Sequence, residues 1–137
     1  MQPQAKRWAR RLALAYSAAL LLWLSVEDNA IWPVTLFGLG LCVLIMGLTT
    51  FDRINLASVP AHWLPTVSTV FGLLVGMGTA VATAGLMFFK NALHAHVFLD
   101  FPPARLLAML QRAPQWGAAG ALIVLSLGLV WLAVRVE

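Results

Sequence analysis

The sequence predicts an all-α integral membrane protein with four transmembrane helices in a small bundle, and three observations support this fold class. Hydrophobic residues make up 61% of the 137 residues and charged residues only 10%, whereas soluble domains carry about 45–50% and about 25%. The charged residues are also clustered, so that long uncharged stretches separate them. Most of these stretches approach or exceed the roughly 20 apolar residues with which a helix crosses a bilayer. We expect a single transmembrane domain over residues 1–137.

The first half of the chain contains two predicted spans, at about 9–26 and 32–50. The uncharged run that follows Arg11 is short, but Arg10 and Arg11 can extend to the lipid headgroups while the helix begins earlier. We interpret this segment as a retained span rather than a cleaved signal peptide. Glu27 and Asp28 stand where a cleavage site requires small residues.

The second half contains two further predicted spans, at about 66–89 and 116–134, with a polar segment between them. Pro102 and Pro103 cannot continue the third span, but a proline suits the first turn of a new helix. Residues 103–113 separate into an apolar and a polar arc at about 100° per residue. This segment is too short to cross a bilayer, so it predicts an amphipathic helix lying in the membrane interface.

The distribution of lysine and arginine predicts the orientation of the chain. Positive residues concentrate on the cytoplasmic side of membrane proteins, and with four spans one side carries Lys6, Arg7, Arg10, Arg11, Arg53 and Arg135, and the other Lys90, Arg105 and Arg112. Both termini are therefore expected in the cytoplasm, the interfacial helix outside, and the protein in the bacterial inner membrane. The six tryptophans all fall near predicted span ends, where such side chains favour the interface.

Span 3 carries a ridge of small residues spaced four apart: Gly72, Gly76, Ala80 and Ala84. Helices associate in lipid through close contact over small residues, so this ridge is a candidate surface for packing on a partner protein or a second copy. Packing within the bundle explains the same pattern. Thr79 and Thr83 flank the ridge, and we consider them possible polar contacts or pore-lining residues.

The segment that follows span 3 contains three candidate metal ligands: His94, His96 and Asp100. Histidine and carboxylate side chains bind transition metals when three or four of them converge, and histidine also titrates near neutral pH. Their spacing matches no established metal motif, so a metal site is only an alternative. Lys90, Arg105 and Arg112 are expected to contact lipid headgroups or a partner.

The functional hypothesis follows from these features taken together. The serines have no histidine at a matching depth, Cys42 has no visible base, and no nucleic-acid-binding surface is expected. The sequence specifies no catalytic residue and no cofactor. We expect a non-enzymatic accessory, assembly or stabilising subunit that packs in the bilayer against a larger membrane complex. The alternatives are a homo-oligomeric channel or carrier for a small solute, and a metal- or pH-responsive site after span 3.

Overall fold

The computed structural model describes residues 3–26, 28–53, 59–94 and 99–136. In these ranges five α-helices follow one another: α1 (Pro3–Ser25), α2 (Ile31–Arg53), α3 (Leu64–Leu93), α4 (Pro103–Gln111) and α5 (Ala113–Val136). A 3-10 helical turn, Ala61–Trp63, leads directly into α3. All regular secondary structure in these described ranges is helical, which confirms the predicted all-α class.

Three helices of the described chain are long and apolar enough to cross a membrane: Ile31–Thr50, Ala61–Leu93 and Ala113–Val134. The length and composition of these helices are consistent with a membrane protein. The first helix, α1, is not among the three. Its first half carries Arg7, Arg10 and Arg11, which lower the mean hydropathy of any window that includes them. Three of the four predicted spans are thus supported.

Proline sets several of the helix boundaries. The short helix α4 begins at Pro103, as the sequence predicted, with Pro102 as its extended N-cap. Pro114 lies in the first turn of α5, where its missing N–H costs nothing. Only Arg112 separates α4 from α5. Helix α5 begins at Ala113, three residues before the predicted start of the last span at about residue 116, because a proline suits the first turn of a helix.

Helix α3 packs on α5 through glycines on both helices. A Cβ atom added to Gly72 would collide with the backbone carbonyl of Gly120, and one added to Gly76 would collide with that of Trp116. Ala80 and Ala84, farther along the same ridge, are also buried within the chain. This is the packing within the bundle that was the second interpretation of the ridge, and packing on a partner protein stays a prediction. The ridge is used inside the bundle, where the small residues let two backbones approach closely.

Helix α2 packs on the side of α3 that carries Thr79 and Thr83. A Cβ atom added to Gly38 of α2 would collide with the Thr83 hydroxyl, and the Cys42 Sγ donates to the Val75 carbonyl at 3.4 Å. The two threonine side chains are fully buried, and their hydroxyls bond backward to carbonyls of α3 itself, each at 2.7 Å. Within the described chain α2 covers both threonines, and their role as pore-lining residues of an oligomer stays a prediction.

Helix α1 joins the bundle through its second half. The Tyr16 hydroxyl donates to the Phe37 carbonyl, and the ring centroids of Trp23 and Phe37 lie 5.2 Å apart. Before Tyr16, the large side chains of Trp8 and Leu12 are exposed. The attachment of α1 to the other helices is consequently concentrated near the α1–α2 connector.

The apolar core lies at the end of the bundle where α4 crosses it. Met109 of α4 is buried there, together with Phe101 and Ala113, while Leu107 and Leu110 stay exposed. The apolar arc predicted for this helix is thus divided, since part of it faces the protein core and part faces outward. This arrangement brings α4, the α1–α2 connector and the last turn of α3 together, and the candidate functional site lies among them.

Candidate functional site

The centre of this region is Lys90, in the last turn of α3, whose side chain is fully buried. Its Nζ donates to the backbone carbonyl of Asp28, in the connector between α1 and α2, at 2.6 Å. The sequence predicted instead that Lys90 would reach lipid headgroups or a partner. The side chain turns into the protein because the connector and the residues before α4 close over the end of α3.

Two aromatic rings enclose the Lys90 ammonium group. Its Nζ lies 4.3 Å from the centroid of the Trp23 ring and 5.9 Å from that of Phe101. Ring faces attract cations electrostatically, and the attraction is about 2 kcal/mol or more when the pair is shielded from water. The Trp23 Nε1 atom is buried as well and has no acceptor among the described residues. We call Lys90, Trp23, Phe101 and the Asp28 carbonyl the Lys90 centre.

The Lys90 centre offsets part of a large desolvation cost with several contacts. Burying an ammonium group costs several kcal/mol even after relaxation. The bond to the Asp28 carbonyl returns about 1.5–3 kcal/mol, as hydrogen bonds of charged groups do, and the ring contacts add to it. The carboxylates of Asp100 and Asp28 also favour the ammonium electrostatically. Losing one of these contacts would leave a buried charge poorly compensated.

A second contact, next along α3, fixes the residues that lead into α4. The Asn91 side-chain amide donates to the Phe101 carbonyl at 2.6 Å and accepts from the Phe101 N–H at 2.9 Å. This reciprocal pair satisfies both backbone groups of a residue that lies outside any helix. Because Phe101 is fully buried, the pair also holds its ring in place beneath Lys90.

The third contact joins His94 and Asp100, whose Nδ1 and Oδ2 atoms lie 2.5 Å apart. His94 ends α3, and its backbone N–H donates to the Lys90 carbonyl at 3.0 Å. Two of the three predicted metal ligands are therefore in direct contact. The third, His96, lies outside the described residues. Within the described ranges no three histidine, cysteine or acidic side chains converge on one point.

The α1–α2 connector receives two cations and also contains a local turn before α2. Asp28 accepts from the Ala30 N–H through its side chain at 2.9 Å, a local turn typical of aspartate. Arg105 of α4 donates weakly to the Asn29 carbonyl at 3.4 Å. Arg105 and Arg112 are otherwise exposed, and their contact with lipid headgroups or a partner stays a prediction.

Sequence reasoning missed three residues of this site: Trp23, Asn91 and Phe101. Trp23 was interpreted as an interfacial anchor, and nothing near it in the chain indicates a contact with Lys90. One signal was available, since a lysine at the end of an apolar span must either extend to the headgroups or find partners within the protein. An aromatic residue just before two prolines, Phe101, is one candidate partner.

The polar contacts at the end of α3 hold neighbouring segments of the chain together. Lys90, Asn91 and His94 follow one another along the end of α3 and fix both the α1–α2 connector and the residues before α4. Comparisons of this chain with protein-family models, with curated proteins and with solved structures find no match. The contacts and exposed surfaces described above are therefore the basis for a functional proposal.

Proposed function

We propose that this protein is a non-enzymatic accessory or assembly subunit that packs against a larger protein complex in the bilayer. The observation that supports the proposal is that α1 is largely exposed and has few contacts with the other helices. This helix contacts α2 mainly through its second half, and its small residues Ala15, Ala18 and Ala19 are exposed. Small residues are what allow two helices to approach closely in lipid.

The charged residues of α1 also favour contact with a partner protein. Its first half exposes Arg7, Arg10 and Arg11, and the Arg11 guanidinium lies 5.5 Å from the Trp8 ring centroid. A helix with charged residues near its membrane segment is less stable alone in lipid than a fully apolar one. A neighbouring protein helix would stabilise α1 by covering its small-residue side and shielding its charged half.

The proposed topology has four spans, with both termini in the cytoplasm of a bacterial inner membrane and α4 in the outer interface. The distribution of charged residues supports it. The exposed leucines Leu107 and Leu110 of α4 lie roughly opposite Arg105 and Arg112 around the helix, so one flank can face hydrocarbon and the other water. Labelling single-cysteine variants from each side of intact cells tests this topology.

The subunit proposal is tested by mild detergent extraction from native membranes, followed by mass measurement of what copurifies. We expect a stoichiometric partner with the wild type and a clear loss of that partner with Ala15→Leu combined with Ala18→Leu. The matched control is Ala119→Leu, which makes the same change at an exposed position of α5. A lone monomer, or a partner retained by the α1 variant, would contradict the proposal.

A second candidate function is a metal- or proton-responsive contact, and the His94–Asp100 pair favours it. A metal ion or a proton that reaches His94 would change the contact that closes the segment before α4. Titrating zinc ions or acid into wild type and into a His94→Ala, Asp100→Ala double variant tests it. Identical responses of the two proteins would exclude this role for the pair.

A further inference from the structure

A second feature lies at the opposite end of the bundle, near the 3-10 turn Ala61–Trp63. A half-open cavity of about 550 Å³ is lined there by residues of α2, by the 3-10 turn, by the first half of α3 and by Val124 of α5. Its volume lies within the roughly 300–1,000 Å³ that is typical of ligand pockets. Gly47, Trp63 and Phe71 are among its lining residues. None of these residues belongs to the Lys90 centre.

The cavity exists because α2 and α3 separate toward this end. Near the middle of the helices the two backbones are close, since a Cβ atom on Gly38 would collide with Thr83 and one on Gly78 would lie 2.5 Å from the Cys42 sulfur. At Gly47, farther along α2, an added Cβ atom would meet nothing within 4 Å. Helix α3 meanwhile stays against α5, where Gly128 packs on Ser68.

The chemistry of the walls selects the kind of ligand. The lining residues that the structure describes carry no charge, and they are mainly aliphatic and aromatic side chains with a few hydroxyl groups. Val70 and Leu74 line the cavity and are also about half exposed. The cavity therefore opens sideways onto the surface that α3 presents to a bilayer. An uncharged opening of this kind matches a hydrocarbon chain.

The rim of the cavity suggests how such a chain would be oriented. Trp63 and His62 belong to the turn that precedes α3, with ring centroids 5.9 Å apart, and Trp63 lines the cavity. Tryptophan favours the level of the lipid headgroups. A chain inside the cavity would thus have its polar end near this turn. Three walls would surround it, giving more van der Waals contact than a single exposed helix face does.

We propose that this cavity is a binding site for one acyl chain of a membrane phospholipid, with the headgroup at the Trp63 turn. The site is independent of partner docking on α1, so either proposal can fail without the other. The lipid would fill the space that the described residues of α2 and α3 leave open beside Gly47. It would thereby support the separated end of the bundle.

The test compares two glycine substitutions that place the same side chain in open space. Gly47→Leu fills the cavity, whereas Gly85→Leu adds leucine to an exposed position of α3 that also has no neighbour within 4 Å and does not line the cavity. Delipidated proteins are incubated with dioleoyl phosphatidylglycerol, and bound lipid is counted by native mass spectrometry. A short-chain phosphatidylglycerol separates acyl-chain binding from headgroup binding.

We expect one retained long-chain lipid on the wild type and on Gly85→Leu, and about tenfold lower occupancy on Gly47→Leu, because the leucine and the chain compete for one space. Val124→Phe should act in the same way from the α5 side. Equal lipid binding by all variants, no bound lipid on the wild type, or equal binding of the short-chain lipid would overturn the proposal. Loss of a copurifying protein instead of lipid from Gly47→Leu would assign the cavity to a partner helix.

Discussion

The two ends of the bundle are held together in different ways. At the α4 end, buried Lys90 bonds to the Asp28 carbonyl, and Asn91 bonds to both backbone groups of Phe101. At the Trp63 end, α2 and α3 separate, and Gly47 faces open space. Polar contacts and aromatic rings hold the helices together at the first end. At the second end the space beside Gly47 is open to the surroundings of the protein.

The difference shows what holds helices together in an apolar solvent. Hydrophobicity alone gives no preference for a helix neighbour over lipid, so specific contacts decide where helices meet. In this chain those contacts are the glycine pairs between α3 and α5, the Gly38–Thr83 contact and the Lys90 centre. Where all three are missing, near Gly47, the helices diverge.

The largest expected effect is that of Gly76→Leu. The side chain would collide with the Trp116 carbonyl, and a backbone atom cannot move aside without separating α3 from α5. We expect a loss of more than about 3 kcal/mol, beyond the usual cost of overpacking. Because Cys42 is buried, a thiol-reactive dye can follow thermal unfolding in micelles. Gly85→Leu is the control, and equal melting temperatures for both variants would contradict the α3–α5 contact.

Substitution of Lys90 should rank second and should depend on the replacement. Lys90→Ala removes the bond to the Asp28 carbonyl and leaves a cavity, so we expect a loss of about 2–4 kcal/mol. Lys90→Met preserves most of the packed volume and should cost less, since a buried charge can often be replaced by an apolar residue of similar size. The melting assay measures both. Arg112→Ala, exposed at the same end, should cost under about 0.5 kcal/mol, and a similarly small effect of Lys90→Ala would refute the Lys90 centre.

Asn91→Ala tests the neighbouring contact. It leaves the N–H and carbonyl of Phe101 without their side-chain partner, and we expect a loss of about 2 kcal/mol, because unsatisfied buried groups are costly. Hydrogen exchange should show faster exchange at the Phe101 amide. Asn29→Ala, which alters an exposed side chain of the connector, is the control and should leave both readouts unchanged.

The smallest effects concern two glycines of α2 and compare the two ends directly. Gly38→Ala places a methyl group against Thr83 and should destabilise the protein by about 1 kcal/mol. Gly47→Ala meets no neighbour and should be neutral or stabilising by up to about 1 kcal/mol, as glycine is a poor helix former. If Gly47→Ala destabilised the protein more than Gly38→Ala, the assignment of closed and open ends would be wrong.

The sequence predicted the helices better than their contacts. Long uncharged stretches, and Pro103 at the start of α4, predict where helices form because these signals are local. The ridge of Gly72 and Gly76 predicts a close helix contact, but α5 and a partner protein would require the same small residues. Only the structure identifies α5 as the neighbour.

The Lys90 centre was beyond prediction for a related reason. The charge of Lys90 places it at the end of a span, and the same position fits a lysine that extends to headgroups. Its burial depends on Trp23 and on the Asp28 backbone, 62 residues away in the chain, and a carbonyl group leaves no signature in a sequence. His94 and Asp100 were named as candidates, and their contact was compatible with the short segment between them.

Chemical labelling of Lys90 tests the central claim most directly. A water-soluble amine reagent is applied to the folded protein in micelles, and modification of the Lys90 peptide is measured against a denatured sample. Arg105→Lys supplies the control, since it places a lysine at an exposed position of the same end. The Lys90 centre predicts that Lys90 is protected until unfolding while the introduced lysine reacts at once. Equal labelling of the two amines in the folded protein would show that Lys90 is not buried and would contradict the account of this end.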